Sequence, residues 1–277
     1  MSDGLEPTRK VRVIRVTGES LVRTEDVAAA EEPLDIRLHD RSFAIVMRTP
    51  GQYGELAAGF LLSERVVRSA DDIGAVEHCR HPDHSEVHHV VNVFLRGDAA
   101  TRVTEHLEKR RQVVANSSCG VCGRASIDEL KADVAPLHAA WSVESDVIRA
   151  LPGRLRACQS TFDETGGLHA AALFSRDGAV LRSAEDVGRH NAVDKIVGAA
   201  LLDDQLPLAD ALLMVSGRVS FEIVQKAWVA GVPLVAAISA PTSLAVDLAR
   251  EAGITLIGFL RDHAFNIYTH EVRVAGV

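Results

Sequence analysis

The spacing of apolar and polar residues along the chain has two different patterns, and the change falls near the middle. In the first half, residues 11–17 alternate as a half-buried strand does, and residues 53–67 have the apolar spacing of a helix. This half therefore predicts a mixture of strands and helices. The predicted strands are 11–17, 34–38, 43–47 and 88–95, and the predicted helices are 53–67 and 101–111.

In the second half, short and continuously apolar runs alternate with amphipathic segments. Such runs are typical of parallel strands that are covered by helices on both faces. The predicted strands are 170–175, 180–183, 211–215, 234–238 and 255–260, and the predicted helices are 145–158, 191–202, 220–230 and 243–252. We therefore predict a mobile tail (1–10), an N-terminal α+β subdomain (11–116), a cysteine loop with a linking helix (117–144) and a C-terminal α/β domain (145–277).

Composition narrows the possible classes of function. The chain has 277 residues, 47% of them hydrophobic and only 4% aromatic, and a formal net charge of −8. The negative charge disfavours a general nucleic-acid-binding protein. The sequence has no apolar stretch long enough for a membrane helix and no signal-peptide pattern at its start, so we expect a cytoplasmic protein. Cysteines in that compartment are reduced or chemically active.

The most specific candidate for chemistry is the pair Cys119 and Cys122 in the segment NSSCGVCG. A capping-box pattern at 126–129 predicts a helix start just after them, and a helix N-terminus favours a thiolate over a thiol. A thiolate there is suited to attack on sulfur. Other possibilities stay open from the residues alone: a metal site completed by Cys158 and His169, or an inert pair.

A second candidate site follows from the predicted topology. Ligands of parallel α/β sheets bind at the carboxyl ends of the strands. Three such ends are predicted, and they carry Ser216-Gly217-Arg218, the segment 239–243 and the segment 258–263. Arg218 and Arg261, together with two helix N-termini, predict a pocket for a phosphate or pyrophosphate.

Three other features have weaker claims. The segment 185–195 has many charged residues just before a helix, and it is either a functional site or a helix cap. His169 is interpreted as a structural hydrogen-bonding residue rather than a catalytic one. The His-rich segment 78–89 is interpreted as a solvated loop with at most adventitious metal binding. Cys158 is interpreted as a small buried hydrophobic residue.

Several stretches in order along the chain resemble the formate dehydrogenase accessory sulfurtransferases of the FdhD type. They span nearly the whole sequence, which makes the resemblance far more specific than the cysteine pair. The stretches are EPL (32–34), MRTPGQYGELAAGFLLSE (47–64), SSCGVCGRASI (117–127), GGLHAAALF (166–174), EDVGRHNAVDK (185–195), SGRVSFEIVQKA (216–227), SAPTSLAVDLA (239–249) and GFLRDHAFNIYT (258–269).

The resemblance implies a three-layer α/β/α fold with a cytidine-deaminase-like C-terminal part, and a homodimer. It implies a sulfur carrier that accepts sulfur on Cys119 from a cysteine desulfurase, with Cys122 as partner. The sulfur goes to the molybdenum cofactor, bis(molybdopterin guanine dinucleotide), which the carrier binds as its substrate. The client that receives the cofactor is formate dehydrogenase. No permanent cofactor or metal is expected. The competing hypothesis is a zinc-binding or cofactor-delivery scaffold without sulfur chemistry. The implied cofactor-binding residues are Phe259, Leu260, Arg261, Asp262, His263 and Ala264, joined by Ser216, Gly217 and Arg218.

Overall fold

The computed structural model describes residues 6–80, 89–103, 134–261 and 264–276. Its strands are β1 (Thr8–Thr17), β2 (Ser20–Ala29), β3 (Glu32–Leu38), β4 (Arg41–Arg48), β5 (Ile73–Arg80), β6 (His89–Leu95), β7 (Val143–Glu144), β8 (His169–Ser175), β9 (Val180–Asp186), β10 (Ala211–Val215), β11 (Leu234–Ala237), β12 (Thr255–Arg261), β13 (Ala264–Thr269) and β14 (Val274–Ala275). Its helices are α1 (Tyr53–Ser63), α2 (Ser145–Arg156), α3 (Ser160–Thr165), α4 (Arg189–Leu202), α5 (Phe221–Ala230) and α6 (Ser243–Ala252). Residues 97–103 are also helical.

The first two strands form a separate antiparallel hairpin. The turn between β1 and β2 is two residues long and begins with Gly18 at φ 59°, a backbone conformation that glycine adopts without steric cost. The predicted strand 11–17 is confirmed but begins earlier, so residues 8–10 of the predicted mobile tail are paired strand. Sequence patterning missed β2 because its apolar residues do not alternate.

A four-stranded sheet of order β4-β3-β6-β5 follows, and α1 packs on its inner face. Buried residues from strand and helix meet there, Leu34 and Val91 from the sheet and Leu56 and Leu61 from α1. The predicted helix 53–67 ends at Ser63 because Arg65 takes φ 58°, the left-handed conformation that terminates helices.

The second sheet has six strands in the order β9-β8-β10-β11-β12-β13. The three central strands β10, β11 and β12 are parallel, as predicted, whereas β8, β9 and β13 each run antiparallel to their neighbours. One face of this sheet is covered by α4, α5 and α6, and the other by α2. The three-layer α/β/α architecture is therefore confirmed.

Helices α1 and α4 join the two sheets through direct backbone contact. A Cβ atom at Gly198 would lie 1.8 Å from the carbonyl oxygen of Glu55, and one at Gly59 would lie 2.0 Å from that of Asp194. Only glycine permits this approach. One cluster of buried apolar residues accordingly runs from the four-stranded sheet to the six-stranded sheet. The predicted domain division stays a prediction, since most of the linking segment 117–144 lies outside the described residues.

Candidate functional site

The three parallel strands bring the described residues of all three sequence-predicted segments to one edge of the six-stranded sheet. The loops that follow β10, β11 and β12 are tied together by backbone hydrogen bonds. Val219 N–H donates to Ala240 O at 3.2 Å, and Phe259 N–H donates to Ser239 O at 3.1 Å. Residues 216–218 and 259–261 therefore flank the loop after β11 at the carboxyl ends of the strands, which is the expected position for a ligand in such a sheet.

The residues predicted to bind the cofactor differ in what they present at this edge. Ser216 Oγ accepts a hydrogen bond from Ala170 N–H at 2.9 Å, and Arg218 is exposed. Arg261 donates from Nε to Ile238 O at 3.1 Å. Phe259 has φ 53° and is 43% exposed, so a strained backbone holds an aromatic ring toward solvent.

Two of the predicted residues have other surroundings. Leu260 is fully buried in the core beneath α2, so its side chain does not reach the edge; the strand alternation that exposes Phe259 turns Leu260 inward. Ala264 is exposed at the start of β13, opposite Arg261. Cys119, Cys122, Asp262 and His263 lie outside the described residues.

The fold places at the same edge three residues that the sequence pattern did not locate there: His169, interpreted as structural, and Arg189 and His190, from the segment that was either a site or a helix cap. His169 begins β8, which runs antiparallel to β10 and so starts where β10 ends. Arg189 and His190 occupy the first turn of α4. A Cβ atom at Gly217 would lie 3.3 Å from His169 Nδ1 and 3.5 Å from Arg189 Cδ, so these two side chains border the glycine.

His190 has a partner on the neighbouring helix. Its Nε2 lies 3.1 Å from Ser220 Oγ and 3.7 Å from Glu222 Oε2. Burial, then the positive charges of Lys226 and Arg189, lower the pKa of His190 to about 4, although Glu222 opposes the shift. Burial and Arg189 also lower the pKa of His169 below its usual value. His190 is therefore neutral at pH 7, and His169 is mostly so.

The remaining charges of the segment 185–195 are structural. Asp186 and Lys195 form an ion pair of 2.7 Å with both side chains buried, and burial lowers the pKa of Lys195. Lys195 also donates to Thr49 O and Glu185 O at 3.1 Å each, and Thr49 N–H donates to Asp186. These bonds fasten the loop after β4 to the start of α4.

A second buried pair joins three helices. Lys226 Nζ of α5 lies 2.6 Å from Asp194 Oδ1 of α4, and Ser63 Oγ of α1 donates to the same oxygen at 3.1 Å. Burial raises the pKa of Asp194 above its usual value. Most charged residues of the segment 185–195 are therefore used in buried ion pairs and hydrogen bonds within the protein. Within this segment, only Arg189 and His190 lie at the sheet edge.

The described ends of the His-rich segment are strand rather than the predicted solvated loop, with His78 on β5 and buried His89 on β6. His78 Nε2 and His89 Nδ1 are 3.1 Å apart, and both rings stack on Tyr53. Within the described residues, no group of three or more His, Cys, Asp or Glu side chains is arranged to hold a metal ion. Cys158 is only partly buried and lines a cavity of about 280 Å³ beside Lys195, so its prediction as a buried residue is wrong.

A family model described as the FdhD/NarQ family matches residues 29–275 of the chain. The chain belongs to the FdhD/NarQ family. None of the helices within the described ranges is long and apolar enough to cross a membrane.

Similar proteins come from several organisms. A protein of Streptomyces avermitilis named "Sulfur carrier protein FdhD" is 47% identical over 278 residues, covering 97% of this chain and 96% of its own length. A protein of Sulfurisphaera tokodaii with the same name is 45% identical, covering 96% of this chain and 98% of its own. A crystal structure from Desulfotalea psychrophila, described as a formate dehydrogenase accessory protein, is 22% identical with a TM-score of 0.76 over 97% of this chain and all of its own, and it supports the fold.

Proposed function

We propose that this chain is a sulfur carrier that acts in the maturation of formate dehydrogenase. The observation that carries the proposal is the full-length similarity to proteins named as sulfur carriers, in a chain whose sequence has the pair Cys119 and Cys122, each followed by a glycine. The description of the Desulfotalea psychrophila structure as a formate dehydrogenase accessory protein supports the choice of client.

The proposed chemistry begins with a thiolate at Cys119. The thiolate attacks the terminal sulfur of a persulfide on a cysteine desulfurase, so a new S–S bond forms on Cys119 while the S–S bond of the donor breaks. The donor cysteine leaves as a thiolate, and the proton stays on the transferred sulfur. A low-pKa thiol near a helix start favours this exchange because the thiolate is the attacking species.

Cys122 completes the transfer in this proposal. Its thiolate attacks the inner sulfur of the Cys119 persulfide, a Cys119–Cys122 disulfide forms, and the terminal sulfur leaves as hydrosulfide. The two cysteines supply the two electrons of that reduction, and a cellular dithiol reductant restores them. The hydrosulfide becomes a ligand of the molybdenum in bis(molybdopterin guanine dinucleotide), which is the substrate.

The sheet edge is the proposed binding surface for that substrate. Phosphate groups of a guanine dinucleotide carry the charge that Arg218 and Arg261 complement, and exposed Phe259 offers a face for a base to stack on. The segment 259–264 keeps its proposed role, except that Leu260 contributes through its backbone alone. Homodimer formation stays a prediction.

Mass spectrometry of the intact chain tests the proposal. After incubation with a cysteine desulfurase and cysteine, we expect a gain of one sulfur atom on the peptide that contains Cys119. The variant Cys119→Ala should lose this gain, and Cys122→Ala should keep the persulfide longer, because its resolving thiol is missing. Cys158→Ala is the matched control, since this thiol is partly buried and hydrogen-bonded to Arg154 O at 3.4 Å.

Two results would contradict the proposal. One is equal sulfur loading in Cys119→Ala and in the unmodified chain. The other is about one tightly held zinc ion per chain with both thiols unreactive, which supports the scaffold hypothesis instead.

A further inference from the structure

We propose that the outer edge of strand β1 is a docking site for an extended, acidic segment of a partner protein, which adds to the hairpin as a third strand. The side chains that select the partner are Lys10, Arg12, Ile14 and Val16. This edge belongs to the N-terminal hairpin and not to the six-stranded sheet. The proposal concerns recognition of another protein and does not depend on the sulfur chemistry.

The backbone of β1 has a row of hydrogen-bonding groups that β2 does not use. The two strands pair in one unbroken antiparallel register over all 10 residues, and no other described strand pairs with either of them. Ala30 N–H donates to Pro7 O at 2.8 Å, so the odd-numbered residues of β1 exchange the ladder bonds with β2. The N–H and C=O groups of residues 10, 12, 14 and 16 therefore point to the outer edge.

An exposed apolar patch lies beside this edge. The hairpin is anchored at the base of β2, where a Cβ atom at Gly167 would lie 3.3 Å from Ala29 Cβ. Toward the turn, Ile14, Val16 and Leu21 are 60%, 64% and 71% exposed. Val16 lies opposite Leu21, and Ile14 comes two residues earlier, so the three side chains share one face of the hairpin. Exposed apolar patches of this kind are typical of interaction surfaces.

The charge of β1 decides what kind of strand fits its edge. This strand has four basic residues and no acidic one, in a chain with a net charge of −8. Among the described residues none of the four forms an ion pair, although Glu25 of β2 lies opposite Arg12. Lys10 and Arg12 are exposed on the face that has the apolar patch. Because opposite charges on neighbouring strands stabilise their pairing, an acidic strand is favoured.

A second copy of the chain does not fit this edge, for the same reason. Pairing β1 with β1 of another copy would bring two sets of four basic side chains onto one ribbon, and like charges on adjacent strands are destabilising. Strand edges are often protected by a proline or a bulge, and β1 has neither. Its basic side chains remain as protection, and they repel basic strands while attracting acidic ones.

The order of side chains along β1 predicts the order in the partner. On the shared face, the strand runs from Lys10 and Arg12 to Ile14 and Val16. An antiparallel partner meets these residues in reverse, so its side chains on that face should be two apolar residues followed by two acidic ones. In complexes that add a strand to a sheet edge, the backbone bonds give affinity and the alternate side chains give specificity.

Fluorescence anisotropy of labelled peptides mixed with the full chain tests the proposal. The acidic probe alternates threonine with, in order, valine, isoleucine, glutamate and glutamate; a second probe has lysine in place of glutamate. We expect the acidic probe to bind and the lysine probe to remain free at the same concentration. Arg12→Glu should weaken binding of the acidic probe about tenfold, because an attractive cross-strand pair becomes repulsive. The same variant should bind the lysine probe more tightly than the unmodified chain does.

Arg23→Glu is the matched control for charge. It makes the same change on the same face of the hairpin, but on β2, two strand spacings or about 10 Å from the added strand. Because that distance exceeds the screening length of about 8 Å at physiological ionic strength, the affinity should change by about twofold at most.

Ile14→Pro separates strand addition from simple charge attraction. Proline removes an N–H that points to the outer edge and leaves the ladder with β2 in place, so the acidic probe should no longer bind. Circular dichroism establishes that each variant is folded. In the unmodified chain, the probe should slow hydrogen exchange of the amides of Arg12 and Ile14, which charge attraction alone would not do.

Four results would overturn the proposal. One is an acidic probe that does not bind at millimolar concentration, and another is equal affinity of Arg12→Glu and the unmodified chain for that probe. Undiminished binding to Ile14→Pro would mean that no third strand forms. If analytical ultracentrifugation shows a dimer that Ile14→Pro converts to a monomer, a second copy occupies the edge and the acidic partner is excluded.

Discussion

Two buried ion pairs, Lys195 with Asp186 and Lys226 with Asp194, are called the locks here, and they differ from the charged residues at the sheet edge in how completely their charges are paired. In the locks, Lys195 with Asp186 and Lys226 with Asp194 have partners at 2.6–2.7 Å and further hydrogen bonds. At the sheet edge, the Arg189 guanidinium has no carboxylate partner among the described residues, and its buried Nε has no hydrogen-bond partner. Density of charge in a sequence therefore does not identify a binding site; the partners of each charge after folding do.

Removing one member of a lock should have the largest effect on stability. Lys195→Met leaves the Asp186 carboxylate buried without its cation, and such changes cost about 3–5 kcal/mol. Urea unfolding followed by circular dichroism measures this loss. The control is Arg182→Met, which removes a partly exposed pair with Asp203 and should cost less than about 1 kcal/mol. Equal losses of unfolding free energy in the two variants would show that the buried ion pair is not a principal contributor to stability.

The contact between α1 and α4 gives the second largest effect. Gly198→Ala places a methyl group 1.8 Å from the Glu55 carbonyl oxygen, so the helices must separate, at a cost of about 1–3 kcal/mol or more. Gly153→Ala is the matched control within α2, where a Cβ meets nothing within 4 Å. That variant should instead be stabilising by about 0.5–1 kcal/mol, because alanine is the better helix former. Thermal unfolding should show a lower melting temperature for Gly198→Ala and a higher one for Gly153→Ala than for the unmodified chain.

Acidification should produce the smallest of the three stability effects. The pKa of His190 is about 4 in the folded chain, below its ordinary value of 6.5, so the unfolded chain binds more protons between these two values. Stability is therefore present above pH 6.5 and is lost as the pH falls toward 4, by about 1–2 kcal/mol at pH 5. The groups that face the imidazole are Lys226, Arg189, Glu222 and His169.

The measurement is urea unfolding at pH 7.5 and pH 5.0 for the unmodified chain and for His190→Gln. The variant should lose less stability than the unmodified chain over this interval, because glutamine does not titrate. A parallel decline in the two proteins would refute the assignment of that pH dependence to His190.

Much of the fold followed from local patterns, and the exceptions have a common cause. Strands β10, β11 and β12 and helices α4, α5 and α6 were predicted because each has its own apolar period. Strands β2, β5 and β13 were missed, because what makes them strands is pairing with a neighbour: β13, for example, completes a hairpin on β12 in a stretch assigned to cofactor binding.

The same distinction explains the candidate site. Ser216–Arg218 and Phe259–Arg261 could be placed at one edge because consecutive parallel strands end on the same side. His169 and Arg189 could not, since their position depends on β8 lying antiparallel beside β10, and nothing in the order of elements along the chain specifies that pairing. The inward direction of Leu260 likewise depends on the register of β12.

The glycine contact between α1 and α4 also limits how the molecule can move. Where two helix backbones touch at glycines, the contact contains no long side chain. No rotamer change can therefore accommodate a rotation of one helix against the other. The four-stranded sheet must therefore travel with the six-stranded sheet as one piece. The relative motion that the proposed sulfur transfer requires then falls to chain segments outside this helix pair.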